Sequence, residues 1–286
     1  MVVGAASRDL ATDDRRGWRL GGSATYCSLA AARLGVRVGC VVGLDEEALR
    51  EADEELEFLT AAGVALRPVR LEHGPVFENI ERDGHRRQRW LSRSDRIAAA
   101  ALPDEWASAA GWLLVPVAGE VGEEWARIPR PGARVAVGWQ GMLRGFAGDG
   151  WVKRTAAEPS ALLAAAGLVS ASVNDLGPAL ALERLRALAP GAVIVLTAGD
   201  RGGMALLGQG LARYEAVAAR VVVDSTGAGD VFLAALVAAW LLTGELATAG
   251  ALRFAAAAGS CSVEGSGLAC VPTRARVASR LRVQGS

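Results

Sequence analysis

The sequence predicts an α/β fold with a mostly parallel central sheet covered by helices on both faces. Three observations carry this. Short apolar runs alternate with helix-like segments along most of the 286 residues, as strands linked by helical crossovers do. One pair of extended segments interrupts the alternation and reads as an inserted antiparallel hairpin. Near the C-terminus a β-branched run leads through a glycine-rich turn into an apolar helix.

The elements follow in order. Val2-Val3-Gly4 starts a strand. Ser23 to Leu34 reads as a helix, rich in Ala and Leu and stopped by Gly35. Val36 to Val42 is the next strand, and Glu46 to Ala62 an acidic helix ending at Gly63. Val76 to Arg82 and His85 to Leu91 are extended and joined by Asp83-Gly84, a dipeptide suited to the positive φ of a tight turn. Further strands are expected at Trp112 to Val117, Arg134 to Trp139, Leu168 to Ala171 and Ala192 to Thr197, with a helix from Pro178 to Leu188. Val221-Val222-Val223 reads as a strand, followed by a polar turn and a helix over Val231 to Leu242.

Composition narrows the function. Lys+Arg and Asp+Glu both number 31, so the net charge is zero. That balance argues against a dedicated nucleic-acid binder. Lys153 is the only lysine among those 31 basic residues, so mechanisms needing a lysine elsewhere are excluded. The longest apolar helical run has 12 residues, Val231 to Leu242, too short to cross a bilayer. No signal peptide is read at the N-terminus. The cysteines Cys27, Cys40, Cys261 and Cys270 show no C-x-x-C pairing, and buried thiols in a reducing cytoplasm are expected. Two histidines, His73 and His85, leave no His-rich zinc site. The hairpin collects Arg82, Arg86, Arg87, Arg89, Arg93 and Arg96. These fit either a charged, solvated edge strand or contacts to an anionic ligand.

Chemistry concentrates in Asp224-Ser225-Thr226-Gly227-Ala228-Gly229-Asp230. Glycines at a strand-to-helix turn expose backbone N–H groups, and the helix N-terminus adds partial positive charge. The result is an anion site that needs no lysine. A dinucleotide fingerprint is excluded because its third glycine position holds Phe232. A P-loop is excluded because Val152, not glycine, precedes Lys153. On spacing alone the segment also reads as a helix-capping cluster.

Asp-Ser-Thr-Gly-Ala-Gly-Asp resembles the Asp-Thr-x-Gly-Ala-Gly-Asp signature of the PfkB/ribokinase family of small-molecule kinases. Gly21-Gly22-Ser23-Ala24-Thr25-Tyr26, with Ala32-Arg33-Leu34-Gly35 closing the helix, resembles the family's Gly-Gly-x-x-x-Asn…Ala-x-x-Leu-Gly. Val195 to Gly202 is similar to its Thr-x-Gly-x-x-Gly turn. The resemblance implies a ribokinase-like three-layer sandwich in one domain, residues 1–286, with a β-sheet lid from segments near 9–20 and 72–93.

It also implies roles. Asp230 would be the catalytic base, and Gly227, Ala228 and Gly229 the backbone anion hole. Thr197, Gly199, Gly202, Thr226, Gly265 and Gly267 would line the ATP site. Asp224 would lie where some relatives bind K⁺, or would simply cap the turn. Asp175, in Ser172-Val173-Asn174-Asp175, would serve Mg²⁺, or this stretch is a strand-end cap. Asp9, Gly21, Gly22, Tyr26, Phe77, Asn79, Gln140 and Arg144 would face substrate, with Tyr26 standing where the family has Asn. The expected activity is ATP-dependent phosphorylation of a hydroxyl on a sugar or inositol-like polyol. A nucleoside kinase is the alternative, and a non-catalytic nucleotide- or sugar-binding regulator the alternative of another class. A homodimer through the lid, and no nucleic-acid or membrane partner, complete the expectation.

Overall fold

The structure, a computed structural model, describes residues 1–82, 85–146, 148–176 and 182–283. In chain order its strands are β1 (Val2–Ala5), β2 (Ser7–Leu10), β3 (Trp18–Gly21), β4 (Val38–Leu44), β5 (Val64–Arg70), β6 (Val76–Arg82), β7 (His85–Ser92) and β8 (Gly111–Leu114). They continue with β9 (Arg134–Gly138), β10 (Arg144–Phe146), β11 (Val152–Arg154), β12 (Leu168–Ser172), β13 (Val193–Thr197), β14 (Gly203–Leu207) and β15 (Gly210–Tyr214). The helices are α1 (Ser23–Arg33), α2 (Glu46–Glu51), α3 (Asp53–Ala61), α4 (Ala161–Ala165), α5 (Val173–Leu176), α6 (Leu182–Leu188), α7 (Ala228–Thr243), α8 (Ala249–Ser262) and α9 (Arg274–Val283).

Nine strands form the main sheet in the order β15-β14-β13-β12-β9-β8-β1-β4-β5. The pairs from β12–β13 through β4–β5 are parallel, and β14 and β15 add an antiparallel edge. Alternation along each strand feeds two separate cores. Val2, Cys40 and Val42 face the core built with α1, α7 and α8, while Val3 and Val41 face the one holding Trp112, Trp125 and Trp139. Burial on both faces is why the central strands read as unbroken apolar runs. Among the described residues no helix is long and apolar enough to cross a membrane.

A second sheet has four strands in the order β3-β2-β6-β7. The expected pairing of 76–82 with the segment from 85 is present, from Phe77 opposite Trp90 to Arg82 opposite His85. Its turn, Asp83-Gly84, lies outside the described residues, as does Pro178.

Three expectations are corrected. Val221-Val222-Val223 is not a strand: the three are 54%, 70% and 58% exposed, and the segment is tied down by Val223 N–H on the carbonyl of Val263 at 2.8 Å. β-branching alone favours an extended chain, but among the described residues no partner strand lies beside it. Glu46 to Ala62 is two helices, broken at Ala52, with Asp45 capping α2 through Ala48 N–H at 2.9 Å. The strand at Trp112 stops at Leu114, because the Val117 and Ala118 N–H groups turn inward to Glu120. The arginine-rich strand β7 is, as one of its two readings has it, the exposed edge of the small sheet, with Arg87, Arg89 and Arg93 exposed. A hairpin of β10 and β11, absent from the sequence reading, lies along it, bridging Arg89 to Trp151 and accepting Trp90 N–H on the Gly150 carbonyl at 3.0 Å. Arg87 stacks 3.8 Å above the Trp151 ring, and Arg93 lies 4.9 Å above Trp90. Cation–π contact therefore occupies these two arginines.

Candidate active site

The site is built around the start of α7. Gly227 is its N-cap residue with φ +76°, a left-handed conformation in which a side chain is strained. The chain can then turn sharply from Asp224 into the helix. Asp224 Oδ1 accepts Thr226 N–H at 2.8 Å and Ser225 carbonyl accepts Ala228 N–H at 3.3 Å. Asp224 thus shapes the turn, which is the capping alternative read from the sequence. Beyond it, the Val231 N–H bonds the Gly227 carbonyl at 2.9 Å, and the first-turn N–H groups before it have no intrahelical acceptor. Gly229 has open space where a Cβ would project.

Asp230 sits in that first turn. Its carboxyl is pushed up to about 6, chiefly because it is withdrawn from water, and also by the nearby carboxylates Asp175 and Asp9. The Ser23 side chain and the charge of Arg144 act the other way. The structure therefore brings Asp175, Asp9 and Arg144, from three separate stretches of sequence, within electrostatic reach of Asp230.

On one side lie β2 and the start of α1. Asp9 Oδ1 accepts the Ser7 hydroxyl at 2.9 Å. A Cβ on Gly21 would lie 2.4 Å from Asp9 Oδ2, and one on Gly22 (φ +95°) 2.5 Å from the Ala5 carbonyl. The diglycine is required by close packing of backbone on Asp9 and on the end of β1. Tyr26 is 4% exposed, and its ring lies against the Gly227 backbone: a Cβ there would sit 2.4 Å from Tyr26 Cδ1. Burial and the surrounding carboxylates Asp9, Asp224 and Asp230 push the Tyr26 phenol up, so it stays protonated.

The small sheet overhangs this side. Phe77 is buried and Asn79 accepts Gln88 Nε2 at 2.9 Å. Arg144 lies 5.7 Å from the Phe77 ring centre. Gln140, half-buried, begins a 3-10 turn whose Gly141 rests on the Pro116 carbonyl.

On the other side, Ser172 Oγ accepts Asn174 N–H at 3.1 Å and so starts α5, with Asp175 in its first turn. Thr197 ends β13 and Gly199 (φ +62°) begins a 3-10 turn closed by Gly202 (φ +78°). The stretch from Glu264 to Gly267 follows α8. Glu264 accepts Arg220 N–H at 2.7 Å and pairs with Arg276 at 3.0 Å and with Arg280. These donors hold its carboxyl down at about 2 against the opposing cost of burial. Gly265 lies against the Cys270 thiol, which donates to the Ser266 carbonyl at 3.3 Å. Gly267 (φ +67°) follows.

Sequence reasoning missed Glu120. It is fully buried at the C-terminal ends of β1 and β8, the point where the chain order of the sheet reverses. Its carboxylate accepts the N–H groups of Ala5 (3.0 Å), Val117 (2.8 Å) and Ala118 (2.8 Å). A crevice outside such a reversal is the usual ligand site of open α/β sheets. A lone Glu between glycines and apolar residues carries no motif, so only topology could reveal it.

Residues 151–274 match the family described as pfkB family carbohydrate kinase. No curated protein matches the chain by sequence. Among solved structures, the fold is similar to a pyrophosphate-dependent kinase of the ribokinase family complexed with a pyrophosphate analogue and myo-inositol (TM-score 0.76, 18% identity, 97% of this chain and 98% of that one). It is also similar to fructokinase with bound ATP from Xylella fastidiosa (0.76, 19%, 100% and 99%). A third is Arabidopsis thaliana ribokinase complexed with ribose and ATP (0.68, 19%, 98% and 98%). Residues 151–274 thus resemble pfkB family carbohydrate kinases, and the whole length of the chain has the fold of ribokinase-family kinases.

Proposed function

We propose that the chain transfers the terminal phosphoryl group of ATP to a hydroxyl of a sugar or inositol-like polyol, with Asp230 as the base. The observation that carries this is the placement of the Asp230 carboxyl, raised to about 6, in the first turn of α7 beside left-handed Gly227. A base with that pKa is ionised at neutral pH and still able to take a proton as the hydroxyl oxygen attacks phosphorus. Backbone N–H groups at Gly227, Ala228 and Gly229 donate to the phosphoryl oxygens, that of Ala228 turning from the Ser225 carbonyl it otherwise bonds at 3.3 Å. Phosphoryl transfer depends on positioning and charge stabilisation, so these fixed dipoles serve where a lysine is absent.

Asp9 and the diglycine Gly21-Gly22 hold the acceptor, with Gln140, Arg144, Phe77 and Asn79 around it. Segments 9–20 and 72–93 act as a lid on one domain of residues 1–286. Thr197, Gly199, Gly202, Thr226, Gly265 and Gly267 border the nucleotide, and Asp224 borders the place for K⁺. Asp175 is a single half-buried carboxylate near Asp230. That suits Mg²⁺, which keeps several waters and takes one or two carboxylates plus substrate phosphates. When bound, the ion would neutralise phosphate charge. The protein would work in the cytoplasm, with the lid as its dimer surface.

The test is a panel of sugars, inositols and nucleosides with Mg²⁺ and either ATP or pyrophosphate as donor, read as phosphorylated product. Product with a sugar or inositol and ATP supports the reading. Product only with nucleosides moves the acceptor class, and product only with pyrophosphate overturns the ATP assignment. Binding without transfer across the whole panel would make the chain a regulator.

A further inference from the structure

Three residues of α1 converge on the start of α7. Ser23, Tyr26 and Cys27 are spaced i, i+3, i+4 and share one helix face. All three are buried, at 7%, 4% and 0% exposure. The Ser23 side chain lies close enough to the Asp230 carboxylate to favour its ionised form. The Cys27 thiol donates to the Asp230 carbonyl with sulfur and oxygen 3.4 Å apart. The Tyr26 ring covers Gly227, with Cδ1, Cε1 and Cγ at 2.4, 2.6 and 2.6 Å from where a Cβ would be. One helix face thus grips both ends of the Gly227–Asp230 turn, at the side chain and main chain of one residue and the left-handed backbone of the other. The helix is itself anchored on the acceptor side, because its N-cap is Gly22, packed on the end of β1.

We propose that this face of α1 is a positioning clamp for phosphoryl transfer: Tyr26 holds Gly227 in its left-handed conformation and Ser23 orients the Asp230 carboxylate toward the acceptor. Tyr26 is then a positioning residue and not a substrate contact. Its size is what matters, since the ring fills the space over a glycine. The inference rests on Asp230 being the base, and the experiment separates the two.

Tyr26→Phe keeps the ring, while Tyr26→Ala removes it. In steady-state kinetics with the acceptor found in the panel, Tyr26→Phe should hold kcat within about 3-fold. Tyr26→Ala should lower kcat by ~10–100-fold with a smaller change in acceptor KM, because alignment is lost and not ground-state binding. A raised acceptor KM with unchanged kcat in Tyr26→Ala would make the ring a substrate contact and overturn the clamp. Ser23→Ala provides a second, smaller perturbation for the case in which Tyr26→Ala does not fold. Loss of a hydrogen bond to the ionised form raises a carboxyl pKa. The acid limb of kcat/KM, expected near pH 6 in the unmodified enzyme, should move to higher pH in Ser23→Ala and return in Ser23→Thr. An acid limb that stays in place in Ser23→Ala overturns the Ser23 assignment. An enzyme without any acid limb, or an Asp230→Asn variant that still turns over, overturns the base assignment instead.

Discussion

Gly227 and Gly229 stand two residues apart in one turn, and the structure assigns opposite signs to the same substitution. Gly227→Ala meets two costs. A left-handed conformation disfavours a Cβ by roughly 1–2 kcal/mol. The new methyl would also lie 2.4–2.6 Å from three Tyr26 ring carbons, and overpacking of that kind costs roughly 1–3 kcal/mol. The sum is about 2–5 kcal/mol, out of a total stability of order 5–15 kcal/mol. For a chain of this size it lowers Tm by roughly 4–10 °C. Gly229→Ala meets open space within a helix, where alanine is favoured by about 0.5–1 kcal/mol. Tm should rise by about 1–2 °C. Kinase activity should nevertheless fall in Gly229→Ala, because the methyl enters the proposed phosphoryl site. The assay is thermal unfolding of both variants and of Gly227→Ala in a Tyr26→Ala background. With the ring gone, only the conformational part, about 1–2 kcal/mol, should remain. Equal destabilisation by both alanines, or an undiminished cost in the double variant, would refute the packing argument.

Glu120→Ala should be the most damaging buried substitution outside the α7 turn. It strands three inward N–H groups, and losses of this type reach roughly 3–5 kcal/mol; a Tm drop under about 2 °C would contradict it. Asp230→Asn should stabilise the fold at neutral pH. A carboxyl raised from 3.8 to about 6 is more costly to ionise in the folded state, by up to ~3 kcal/mol, less with its partial exposure to solvent. That cost is present above pH 6 and gone below the unfolded value, so the gain in Tm at pH 7.5 should vanish by pH 4. Glu264 has the opposite sign. Its carboxyl, lowered from 4.5 to about 2, contributes stability above pH 4.5 that is lost as pH falls through 2. Glu264→Gln should therefore flatten the acid end of the Tm-against-pH curve, and an unchanged curve would contradict this.

What the sequence disclosed depended on how local the cause was. The helices at Ser23 and Val231 and the pairing of 76–82 with the strand from 85 follow from composition and turn chemistry within a few residues, and the structure places them there. Asp230, Gly227 and the diglycine stood out because close backbone approach admits only certain residue types. Val221 to Val223 misled, because β-propensity expresses a fit to a neighbouring strand, and among the described residues none lies beside them. The β10–β11 hairpin escaped because its strands are three residues each and depend on Trp151, Phe146 and Trp90 packing across the small sheet. The bond of Glu120 to Ala5 and the approach of Ser23 and Cys27 to Asp230 join residues 115 to 207 positions apart. No local pattern in the chain encodes such partners.

The most direct measurement follows the labelled terminal phosphate of ATP into the acceptor, comparing the unmodified chain with Asp230→Asn at equal ATP occupancy. Occupancy is set by ATP-induced thermal stabilisation. The account predicts label in the acceptor for the unmodified chain, and loss of transfer by about 100-fold or more in Asp230→Asn with ATP binding retained. Transfer at similar rates in both proteins would contradict the assignment of Asp230 as the base.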